Sequence, residues 1–78
     1  MEFYLIWFDD DRKKPTTAKI SEAMAAYERR FHRHPNVILI SEQEQSAVED
    51  SGSVLIRPRA YIRPSHFYVG YDETASAA

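Results

Sequence analysis

This 78-residue sequence predicts a small α/β domain of the α+β kind, ordered β-α-β-β-β, with one helix packed on a mixed sheet and a C-terminal antiparallel hairpin. Three observations carry that expectation. Two continuous apolar runs, FYLIWF and VILI, have the length of strands. Between them, apolar residues recur at helical spacing. Beyond residue 53 the pattern changes to alternation of period two.

The first run, Phe3 to Phe8, is rich in aromatics and reads as a strand buried on both faces, as in a parallel sheet. From about Thr16 to Arg33, Ile20, Ala23, Met24, Tyr27 and Phe31 form one apolar stripe at three- and four-residue steps. Thr16 or Thr17 is expected to cap that helix. Arg29, Arg30 and Arg33 crowd its last turn, where the helix dipole favours positive charge. His34 precedes Pro35, which disfavours α geometry and stops the helix by about Arg33. Val37 to Ile40 is the second strand. A strand, a helix and a strand with short connections make the first two strands parallel, with a right-handed crossover.

The polar segment of residues 41–52 reads as a loop with a helical turn around Glu44 to Val48, closed by Gly52. Strands three and four follow in SVLIRPRAYIRPSHFYVGY, Ser53 to Tyr71. Val54, Ile56, Ala60 and Ile62 fall on one face, and Arg57, Arg59, Tyr61 and Arg63 on the other. A connection from Arg63 to His66 sets Ile62 opposite Phe67, Ala60 opposite Val69 and Tyr61 opposite Tyr68, which keeps apolar against apolar. Pro58 donates no ladder hydrogen bond, so it predicts an edge strand or a bulge. Residues 1–72 are expected to form one domain, with residues 73–78 a disordered tail.

Composition narrows the function classes. The chain has no cysteine, which excludes disulfides and thiolate metal sites, and 44% of it is apolar, as in a globular protein. No apolar run reaches the roughly 18 residues of a membrane span, and the chain enters FYLIWF with no basic leader, so a soluble, cytoplasmic protein without a membrane partner is expected. The net charge of −2 argues against indiscriminate nucleic-acid binding, but the charge is unevenly placed. Residues 12–34 hold seven Lys and Arg against Glu22 and Glu28, residues 41–50 hold only acids, and residues 53–71 hold Arg57, Arg59 and Arg63 with no acid.

FYLIWF runs directly into Asp9-Asp10-Asp11, at the end of a strand where α/β sheets bind ligands. The stretch YLIWFDDD resembles the first strand and acidic pair of receiver domains, whose carboxylates hold magnesium beside a phosphoacceptor aspartate. That resemblance implies Asp9 and Asp10 as weak metal candidates and covers about ten residues. VILI ends in Ser41-Glu42, without the aspartate of the family pattern. The alternative is a solvated turn whose carboxylates accept backbone N–H groups and help to start the helix. Glu28 and His32 read as a helix-surface pair. No nucleophile elbow, glycine-rich phosphate loop or zinc spacing occurs, so no cofactor is expected, and a magnesium-dependent enzyme or phosphate-binding domain using Asp9 and Asp10 is kept only as the second alternative.

A single amphipathic helix covers one face of a sheet. Tyr4, Ile6 and Phe8, or their opposites, are then left as an apolar patch, which soluble monomers avoid. A self-associating, non-enzymatic interaction module is therefore expected, in the first place a homodimer, with sheets face to face or joined at an edge. The competing arrangement folds residues 41–52 back over the patch. Arg57, Arg59, Tyr61 and Arg63, joined by His66 and Tyr68, are expected to meet a partner: protein first, nucleic acid as the alternative.

Overall fold

The computed structural model describes residues 4–47 and 54–72, the side chains of 45–47 apart. Among these residues the elements are β1 (Tyr4–Phe8), α1 (Thr16–Phe31), β2 (Val37–Ser41), a 3₁₀ turn (Glu42–Ala47), β3 (Leu55–Arg59) and β4 (His66–Gly70). The four strands form one mixed sheet in the order β1-β4-β2-β3, with α1 packed on one face. The tail and Gly52 lie outside the described residues, as does Val48 at the end of the expected helical turn.

The helix follows its stripe. Ile20, Ala23 and Tyr27 are buried, and Met24 and Phe31 pack against the core beside them. The helix lies chiefly over β4. Its start departs from expectation: Pro15 occupies the cap position and no side chain caps the first turn. Proline already presents the extended backbone that a cap requires, so the threonines fall inside the first turn. At the other end His32 takes the left-handed conformation (φ 55°) and its N–H reaches the Glu28 carbonyl at 2.8 Å. That left-handed step moves His32 out of the helical path. Glu28 consequently meets His34 Nδ1, at 3.1 Å, rather than His32.

The helix-facing side chains of the sheet are Leu5 and Trp7 of β1, Phe67 and Val69 of β4, Ile38 and Ile40 of β2, and Ile56 of β3. β1 and β2 run parallel as expected, since each is antiparallel to β4, but β4 lies between them. β1 is thus an edge strand rather than a strand buried on both faces, and Ile6 and Phe8 stay more than half exposed. β2 and β3 are parallel neighbours.

The C-terminal pair does reverse direction, as a hairpin should, but its two arms clasp β2 instead of each other. The expected pairings of Ile62 with Phe67, Ala60 with Val69 and Tyr61 with Tyr68 do not form: Phe67 faces Trp7, and Tyr68 lies between Ile6 and Leu39. The cause lies in residues 59–66. β3 ends at Arg59, and a turn closes from Ile62 N–H to Arg59 O at 3.2 Å. A second closes from His66 N–H to Arg63 O at 3.2 Å, with Pro64 at its second position and Ser65 at positive φ (69°), the type II pattern. Two turns in succession carry the chain past the end of β2. Ile62, between them, is buried and stays with the core without joining a strand.

At the opposite end of the sheet Asn36 locks β2 to the end of β4. Its side-chain amide donates to Asp72 O, and its Oδ1 accepts from Asp72 N–H, both at 2.8 Å. Asn36 thereby replaces one further ladder pair with side-chain atoms. Asn36→Ala deletes both bonds and is expected to cost about 1–2 kcal/mol, read from the urea midpoint at unchanged slope. Asn36→Asp keeps the acceptor but sets a carboxylate oxygen against the Asp72 carbonyl, so it should be no more stable than Asn36→Ala.

Candidate functional site

Side-chain alternation assigns the second face of the sheet. With residues 5, 7, 38, 40, 56, 67 and 69 turned to the helix, the other face carries Tyr4, Ile6 and Phe8, then His66, Tyr68 and Gly70, then Val37, Leu39 and Ser41, then Leu55, Arg57 and Arg59. The register aligns these in rows across the strands. One row is Ile6, Tyr68, Leu39 and Arg57; the next on one side is Phe8 and His66, and on the other Tyr4, Gly70, Val37 and Leu55.

On this face Val37 and Ser41 are buried, and Tyr4, Leu39, Leu55, Arg57, His66 and Tyr68 are half-buried. The 3₁₀ turn, which sequence alone left free to fold over it, touches α1 as well as β2 and β3. Ile6 is 57% exposed and Phe8 56%. The Phe8 ring stands against His66 with centroids 4.9 Å apart. The Tyr4 ring lies over Gly70 so closely that a Cβ there would stand 2.7 Å from Tyr4 Cδ2. Among the apolar residues of this face, Ile6 and Phe8 are the most open to solvent.

The six residues expected to act as one stripe separate into two groups. Arg57, Arg59, His66 and Tyr68 share the open face. Tyr61 and Arg63 lie beyond the end of β3, in the double turn, where Tyr61 is 69% exposed. Nor does Arg33 join the stripe. Arg33 lies over the Tyr71 ring, 3.6 Å from its centroid, near the end of the sheet where β2 begins. Arg59 pairs with Ser41 at the other end, about 13 Å along the strand.

Backbone geometry shows what Arg57 and Arg59 do. Leu55 N–H donates to Asn36 O at 2.9 Å. In a parallel ladder this turns the backbone groups of 55, 57 and 59 toward β2 and those of 56 and 58 toward the outer side of β3. Pro58 thus presents no N–H at that edge. Arg57 Nη1 donates to the outward carbonyl of Ile56 at 3.2 Å, and Arg59 Nη1 donates to that of Pro58 at 2.8 Å. Proline and two arginines together blunt the β3 edge, a recognised protection against strand addition. Sequence alone showed Pro58 as an edge signal, but not that the arginines serve the same edge, because side-chain alternation says nothing of backbone direction.

Searches of protein-family models, curated proteins and solved structures give no match to this chain. Its site is therefore read from geometry.

The acidic turn is built as a helix-entry structure. Asp9 Oδ1 accepts Asp11 N–H at 3.0 Å, and Asp11 Oδ1 accepts Lys13 N–H at 2.9 Å. Lys14 Nζ bridges Asp9 Oδ2 at 3.3 Å and Glu22 at 3.0 Å. The Asp9 side chain is 12% exposed. The Asp11 N–H holds its carboxyl below the ordinary aspartate value of 3.8; burial opposes this, and Lys14 and Lys19 add to it. The Glu22 and Asp9 carboxylates push Lys14 upward. Asp9 is thus already occupied by protein donors. Among the described residues no three His, Asp or Glu side chains converge as metal ligands, and no helix is long and apolar enough to cross a membrane.

Two outcomes follow. Because the Asp9 carboxyl is lowered in the folded state, its contribution to stability is complete above the ordinary value of 3.8 and is lost as pH falls through the lowered one. Asp9→Asn should therefore melt below the wild type at about pH 7, and the gap should close by about pH 2. The second concerns the guarded edge. Replacing Pro58 and Arg59 together by threonine restores an N–H and uncovers a carbonyl. Light scattering should then rise with concentration while the far-ultraviolet circular dichroism stays native; a variant as soluble as the wild type would overturn the edge-guarding role.

Proposed function

We propose that this protein is a small non-enzymatic interaction module that self-associates, with Tyr4, Ile6 and Phe8 at its contact surface. One observation carries the reading. Ile6 and Phe8 stand more than half exposed on one face of an edge strand. Their neighbours Tyr4, Leu39 and Tyr68 are half-buried, so the apolar surface is continuous. The acidic turn supports the non-enzymatic part, since its Asp9 carboxylate is bonded to Asp11 N–H and Lys14.

The arginines support protein contact over nucleic acid. Arg57 and Arg59 each give an Nη1–H to their own strand, while Tyr61 and Arg63 lie outside the face. A polyanion would find two partly engaged guanidinium groups beside an apolar surface rather than a basic track.

Sedimentation velocity at about 100 μM should give twice the 9.1 kDa chain mass. Phe8→Glu places a charge on the face at an exposed position, so it should weaken association about tenfold or more while leaving the melting temperature at high dilution close to that of the wild type. A wild-type mass of one chain sinks the reading. Binding of mixed-sequence single-stranded RNA that falls steeply between about 50 and 200 mM salt, and that Arg59→Ala weakens, would put nucleic acid in its place.

A further inference from the structure

The two edges of the sheet are treated in opposite ways. The β3 edge carries Pro58 and has its outward carbonyls bonded by Arg57 and Arg59. The β1 edge, Tyr4 to Phe8, carries no proline and no charge. Asp9 N–H donates to Ser65 O at 3.0 Å, one step past the Phe8–His66 pair. In an antiparallel ladder this assigns residues 5, 7 and 9 to the bonds with β4, and turns the N–H and C=O of Ile6 and Phe8 outward. Among the described residues these outward groups have no partner. An apolar edge of this kind is a template for another strand.

We infer that the β1 edge pairs antiparallel with the β1 edge of a second copy, about a two-fold axis at Ile6, which joins two sheets into one of eight strands. This rests on the self-association proposed above and specifies its geometry: edge to edge rather than face to face.

A second copy suits this edge better than an unrelated peptide for three reasons. The added strand must be apolar on both faces, because β1 turns Leu5 and Trp7 to the helix side and Tyr4, Ile6 and Phe8 to the open side. β1 is such a strand. The two-fold at Ile6 then sets Ile6 against the partner's Ile6, Leu5 against the partner's Trp7, and Phe8 against the partner's Tyr4, so every position meets an apolar or aromatic side chain. Ile6 also exchanges both its outward bonds with the partner's Ile6, because an antiparallel pair of outward-facing residues is a hydrogen-bonded pair.

Charge does not oppose the approach. The strand itself has none, and Asp9 at its end is paired with Lys14. The helix side gains as well. Trp7 is half-buried at the edge strand, and the pairing sets the partner's Leu5 beside it.

Hydrogen exchange of the unmodified chain, followed amide by amide by NMR, distinguishes the arrangements when combined with the sedimentation mass. Leu5 and Trp7 amides are bonded to β4 in every case and serve as the internal reference. The edge dimer predicts a two-chain mass with Ile6 and Phe8 amides slowed about 100-fold or more, that protection falling on dilution. A two-chain mass with Ile6 and Phe8 exchanging at open-chain rates overturns the edge and leaves self-association through the face. A one-chain mass overturns both, with or without protection of those amides. Ile6→Pro removes the outward N–H together with the Ile6 side chain but no bond to β4, and should weaken association at least tenfold while the Leu5 and Trp7 amides stay protected. Association as tight as in the wild type, with the fold retained, would also overturn the pairing.

Discussion

β4 is the strand on which the sheet depends. Its backbone groups alternate between β1 on one side and β2 on the other, and its helix-facing side chains, Phe67 and Val69, are fully buried. β1 and β2 do not touch across the sheet. The strand-helix-strand unit of the first half of the chain is therefore open along its middle until residues 66–70 enter it. The gap has to be filled by a strand about sixty residues from β1, so the fold closes through long-range contacts that local helix formation cannot supply. The Asn36 clamp stands where the last part of that insertion is secured, at the end of β4.

The same insertion explains which parts of the structure were legible in the sequence. The stripe from Ile20 to Phe31 was legible, because a helix repeats its apolar positions within one segment and needs no other to define its face. Four strands were legible for a similar reason, although the third was expected to run on to Ile62 and ends at Arg59. Strand order was not. Phe67 and Val69 announce a buried face, but alternation is silent on whether Trp7 or Ile62 lies opposite. The hairpin that paired Ile62 with Phe67 satisfied every local rule, and so does the observed pairing of Trp7 with Phe67. What decided between them was the strand ending at Arg59, which leaves Ile62 buried in a turn. Tyr61 and Arg63 left the expected stripe with it, whereas Arg57 and Arg59, inside the strand, stayed on the face that alternation assigned.

The arginines show how one residue pattern can suggest the wrong kind of partner. Arg-Pro-Arg on a strand reads as a basic surface when only charge is considered. Placed on an outer strand, it answers a backbone problem instead. A parallel edge leaves every second N–H and C=O unpaired. Proline removes one donor, and each arginine is long enough to reach back to the carbonyl before it. The cation keeps its charge in solvent while it does so, which adds a desolvation cost for any approaching strand.

That reading sharpens the contrast with β1. One helix over one sheet leaves two exposed features, the second face and the two edges, and each can be managed separately. On the second face, the Tyr4 ring shelters Gly70, and Val37 on the far side of that glycine is buried. On the edges, β3 is guarded. What is left is confined to β1: its Ile6 and Phe8 side chains on the open face and its Ile6 and Phe8 backbone groups at the rim. These belong to the same two residues. A chain that uses three residues to guard one edge, and leaves Ile6 and Phe8 exposed along the other, has an asymmetry that composition alone does not require. A strand added at β1 pairs the rim and gives the Ile6 and Phe8 side chains apolar neighbours across the seam, whereas a sheet stacked on the open face would cover the side chains and leave the rim as it is.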